Sequence, residues 1–154
     1  MVFYYIIWRT IVIGIFVKEE DSGNYPSDPI INLSISSTEG MSYAGNIKKG
    51  EQIFSVEFID QIKHENFMGH DVNVVKLDDN ANLEDLESWM NWSDPKGLIS
   101  PAPQGVTFLG GVNDSPAGSV GYFKVNLDVG KYALISEVPS ALKKGMLKTF
   151  TISD

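Results

Sequence analysis

An all-β Greek-key sandwich with one short helix inserted at about residues 82–92 is the fold class this sequence predicts. Three observations carry the expectation. Short apolar segments at period two recur along the chain, with turn residues between them. Leu127-Asp128-Val129-Gly130-Lys131-Tyr132 has the Leu-x-x-Gly-x-Tyr form of a tyrosine corner, in which a tyrosine at a strand start turns its hydroxyl back to the preceding connection. A single stretch, Leu83 to Met90, places apolar residues at helical spacing.

Taken in order, Ile31–Ser36 alternates, with Ile31, Leu33 and Ile35 on one face. Lys48-Lys49-Gly50-Glu51 reads as a turn into Gln52–Asp60, where Phe54, Val56 and Phe58 share a face. His70–Leu77 is the next strand candidate. For the helix, Asn82 is suited to cap, and Glu84 and Asp85 place negative charge at the positive end of the dipole. Its apolar stripe is Leu83, Leu86, Trp89 and Met90, expected to pack on the sheet. Ser100 to Gly118 reads as a long loop. Its Gly110-Gly111 pair lacks the Lys-Ser/Thr of a phosphate loop. Val120–Leu127, Tyr132–Ser136 and Leu147–Ser153 complete the strands.

The organisation is an apolar leader at 1–17, a linker at 18–30 and one domain at 31–154. Val2 to Val17 is apolar apart from Arg9 and Thr10. As a helix it rises about 24 Å, short of the roughly 30 Å hydrocarbon core. That length suits a signal peptide or membrane anchor. The expected location is therefore extracytoplasmic, periplasmic or membrane-anchored facing outward, with any membrane attachment through the N-terminus. A net charge of −8 repels phosphate backbones, so nucleic acid is not an expected partner. The absence of cysteine removes disulfides, thiolate nucleophiles and thiolate metal sites together. Adjacent carboxylates occur only where linker, turn and cap residues are expected, at Glu19-Glu20-Asp21, Asp78-Asp79 and Glu84-Asp85. No catalytic residue is expected.

The order "HDVNVVKL", "LEDLESWM", "FLGG", "LDVGKYALIS", "KKGMLKTFTI" resembles the cupredoxin-like domains of bacterial extracytoplasmic proteins, relatives of plastocyanin and azurin. The resemblance covers about residues 42 to 153 and is strongest from Phe108 to Ile152. It implies a cupredoxin-type sandwich whose late strands and loop carry blue-copper ligands: an early histidine, a cysteine, a second histidine and an axial methionine. Carried onto this chain, His70 matches the early histidine and Met146 the methionine. Ser136 stands at the cysteine position and Ala141 at that of the second histidine. The loop between Ser136 and Met146 also looks shorter than in copper-binding relatives.

A blue-copper site needs two imidazoles and a thiolate in a plane, with a weak axial thioether. Serine and alanine remove the strongest donor and one imidazole. The resemblance therefore implies a degenerate site and a non-enzymatic binding or protein-interaction module, with no cofactor and an unidentified protein or small-molecule partner. The alternative is a copper-binding or copper-handling, electron-transfer protein with a rebuilt site around His64, Met68 and His70, with Met146 as a further candidate ligand. His64, Met68 and His70 lie within seven residues, "HENFMGH". Ser136, Ala141, His70 and Met146 are expected to converge at one end of the sandwich.

Overall fold

A computed structural model describes residues 30–153, so the expected leader (1–17) and nearly all of the linker (18–30) lie outside the described residues. The alternating segments become strands. They are β1 (Ile30–Ser36), β2 (Gly40–Ala44), β3 (Gly50–Phe58), β4 (Val72–Leu77), β5 (Val106–Val112), β6 (Val120–Leu127), β7 (Gly130–Ile135) and β8 (Leu147–Ile152). One α-helix, α1 (Leu83–Met90), follows β4. Two four-stranded sheets form, ordered β2-β1-β3-β6 and β5-β4-β7-β8. Pairing is antiparallel except between β1 and β3, which run parallel with Leu33 opposite Val56.

The inner faces are those the period-two pattern marked. Ile31, Leu33 and Ile35 are buried, as are Phe54, Val56 and Phe58. Val72, Val74, Leu134 and Ile152 meet them from the second sheet. Phe54 stacks on Phe123 across β3 and β6, with centroids 4.8 Å apart and an interplanar angle of 2°. The tyrosine corner is present. Tyr132 is buried, its hydroxyl donates to the Asp128 carbonyl at 2.9 Å, and the Asp128 N–H donates back at 3.0 Å. Its ring stacks on Phe150.

Helix α1 is capped as expected: the Asn82 side-chain Oδ1 accepts from the Glu84 N–H at 2.8 Å and the Asp85 N–H at 3.3 Å. Leu86 and Met90 bury against the core, and Trp89 packs on Phe108 of β5.

The expected loop from Ser100 to Gly118 is not all loop, because its centre is β5. The reason is Gly111. A Cβ there would sit 2.2 Å from the Val72 carbonyl oxygen, so β5 approaches β4 closely only because that side chain is missing. A bulge between Val74 and Val75 leaves Leu109 without an opposite residue, breaking the alternation that would mark a strand. Strand β2 was also not expected. The strand before the helix begins at Val72, leaving His70 and Asp71 in the approach to it.

Candidate functional site

The C-terminal ends of β1, β3 and β7 and the N-terminal ends of β4 and β8 gather at one end of the sandwich. Two loops close that end, residues 59–71 and 136–146. They hold every residue singled out by the ligand comparison.

The second loop is compact. The Ser136 N–H donates to the Met146 carbonyl at 3.0 Å, and the Met146 N–H donates to the Ala141 carbonyl at 2.7 Å. Ala141 and Met146 are both buried in the core cluster. Gly145 turns with φ +68, and its carbonyl accepts from the Met41 N–H at 2.9 Å, tying the loop to β2. The Leu142 N–H donates to the Glu87 carboxylate at 2.7 Å, tying it to α1. Lys144 forms an ion pair with Glu65 of the other loop.

Ser136 is fully buried, and its hydroxyl is committed. It donates to Asp71 Oδ1 at 2.7 Å and accepts from the Asp71 N–H at 3.1 Å. Asp71 also accepts from the Glu137 N–H at 2.7 Å and from Asn73 Nδ2 at 2.6 Å. Burial pushes the Asp71 carboxyl up, against the hydrogen bonds from Glu137, Ser136 and Asn73 that pull it down. Glu137 is pushed up to about 8 by burial first, then by the Asp71 and Asp114 carboxylates. This pair of acids is the feature the sequence did not reveal. Asp71 and Glu137 are far apart in the chain, so a search for neighbouring carboxylates passes over them.

The first loop holds the two histidines. Gln61 clamps the His70 backbone, donating to its carbonyl at 2.8 Å and accepting from its N–H at 3.1 Å. The buried His70 ring lies on Phe58, with centroids 6.3 Å apart. Its Nδ1 is 3.2 Å from His64 Nε2, whereas its Nε2 is buried with no hydrogen-bond partner among the described residues. Burial lowers the pKa of both rings; nearby Lys144 lowers His64 further, and Asp60 opposes the shift at each. Met68 closes the turn through its carbonyl, which accepts from the His64 N–H at 2.8 Å. Asn66 and Phe67 adopt φ of 57 and 63, and the Phe67 ring is 88% exposed.

The chain path thus brings Ser136, Ala141 and Met146 into one hydrogen-bonded loop, and Asp71 joins it to His70. His64 and His70 meet ring to ring. Met146 belongs to the loop 136–146, and Met68 is joined to His64 through the backbone. Among the described residues no group of three His, Cys, Asp or Glu side chains is placed to hold a metal ion. A type 1 copper centre does not fit this donor set, because it needs a thiolate and the sequence has no cysteine, while the Ser136 hydroxyl is committed to the Asp71 carboxyl group.

No family model matches the chain, and no curated protein sequence matches it. Solved structures do. The dithionite-reduced auracyanin of the photosynthetic bacterium Roseiflexus castenholzii is 12% identical, with a TM-score of 0.56 over 84% of this chain and 100% of that one. The azurin Az-iso2 of Methylomonas sp. strain J is 14% identical, with a TM-score of 0.54 over 81% of this chain and 98% of that one. Auracyanin B is 14% identical, with a TM-score of 0.52 over 85% and 93% of the two chains. The fold of this chain is cupredoxin-like, an all-β sandwich.

Proposed function

We propose that this cupredoxin-like domain is an exported, non-enzymatic binding or protein-interaction module that has lost the type 1 copper centre of its fold. The observation that carries the reading is the Ser136 hydroxyl, which both donates to and accepts from buried Asp71. A position that would supply the defining copper ligand is instead a structural tie between two loops. Export is supported by the apolar run Val2 to Val17 ahead of the domain. The proposed contact surface is the end formed by loops 59–71 and 136–146, where Phe67, Leu142 and Trp92 are exposed.

Site-specific photo-crosslinking in the producing cell tests this. Crosslinkers at Phe67 and Leu142 should capture a partner, and one at exposed Val129, on the opposite end, should not. Equal capture from both ends, or none from either, refutes the assignment of the surface. One observation favours the alternative of a metal-handling protein, namely the ring contact between His64 and His70.

A further inference from the structure

The His64–His70 contact has a specific shape. The nitrogens are 3.2 Å apart and the ring centres 5.4 Å apart. That is close to the longest centre-to-centre distance a 3.2 Å nitrogen contact allows, so the two nitrogens face each other nearly head-on. Two neutral imidazoles in this position share one hydrogen between them. The same axis suits an ion that accepts two donors in line.

We propose that His64 Nε2 and His70 Nδ1 form a two-nitrogen site for a soft monovalent d10 cation, copper(I) or silver(I), held in line between the rings. This deepens the metal-handling reading and rests on it. Bonds from a metal to imidazole run about 2 Å. A linear ion therefore sets the nitrogens about 4 Å apart, roughly 0.8 Å further than the contact observed. His64 sits in a loop where Ile62, Lys63, Glu65, Asn66 and Phe67 are exposed, so that displacement does not disturb the core. His70 stays fixed by Gln61 and Phe58.

Charge and donor count select the ion. A divalent zinc ion takes three or four protein donors, and no third carboxylate, histidine or cysteine among the described residues completes such a group. The Lys144 ammonium acts on His64, which penalises a double charge more than a single one. Its ion pair with Glu65 offsets part of that field. When His70 binds through Nδ1, its Nε2 carries the hydrogen.

The test is a titration of the metal-free full chain with silver nitrate, read at the histidine ring nitrogens by NMR and by calorimetry. The expected result is one ion per chain, with shifts at His64 Nε2 and His70 Nδ1. Zinc should bind at least about tenfold more weakly, and His64→Ala should lower silver affinity by about tenfold or more. The ring shifts are read on the unmodified chain, so they decide the matter even if the variant is unstable. Silver bound with both rings unmoved, as at methionines alone, overturns the inference and leaves the metal-handling reading standing. No bound silver at all overturns both.

Discussion

Replacing Ser136 by alanine tests whether the position that the proposed reading assigns to a lost ligand is structural. The change removes the donor to Asp71 Oδ1 and the acceptor for the Asp71 N–H, and creates almost no cavity. A hydrogen bond to a carboxylate contributes about 1.5–3 kcal/mol, and a buried N–H left without a partner costs about 1–3 kcal/mol. Asp71 keeps the Glu137 N–H and the Asn73 amide, which limits the damage. The expected loss is about 3 kcal/mol, a large share of the stability of a domain this size. Equilibrium urea unfolding followed by tryptophan fluorescence measures it. With a slope of about 2 kcal/mol per molar, the midpoint falls by about 1.5 M and the slope stays constant. Adding Ser136→Thr as a variant that retains a hydroxyl should recover part of the loss. A change under about 0.5 kcal/mol for Ser136→Ala would mean that the hydroxyl ties nothing together, and the structural reading of this position would fall.

Tyr132→Phe removes both corner hydrogen bonds while keeping the ring on Phe150, so it should cost about 2 kcal/mol in the same assay. Glu137 is an acid whose pKa rises on folding from 4.5 to about 8, so its contribution is fully present below about pH 4.5 and is lost as pH rises towards 8. Wild-type stability should therefore decline across that window, and Glu137→Gln should flatten the decline; identical pH profiles by thermal unfolding would contradict the burial argument. Asn82→Ala leaves the Glu84 and Asp85 N–H groups without their cap and should destabilise by about 1 kcal/mol, with hydrogen exchange rising first in the initial turn of α1.

The legible parts of this fold are those written in local pattern. Ile31, Leu33 and Ile35, like Phe54, Val56 and Phe58, announce a buried face because strand side chains alternate whatever the strand pairs with. Asn82 and Tyr132 act on backbone only a few residues away, so short motifs suffice to find them. Strand β5 was hidden for the opposite reason. Gly110 and Gly111 carry no side-chain pattern, and the need for glycine comes from the Val72 carbonyl on another strand.

For the site, the sequence by itself determined which donors exist: no cysteine, two histidines, and serine and alanine at the positions the resemblance assigns to ligands. That is a matter of composition, and no folding can supply a thiolate the chain lacks. Only the tertiary structure decided what those residues touch. It set Ser136 and Glu137 against Asp71 and turned His64 onto His70. Those contacts depend on how two loops close over the ends of paired strands. Sequence spacing does not encode that closure, because it is set by the packing of both sheets at once.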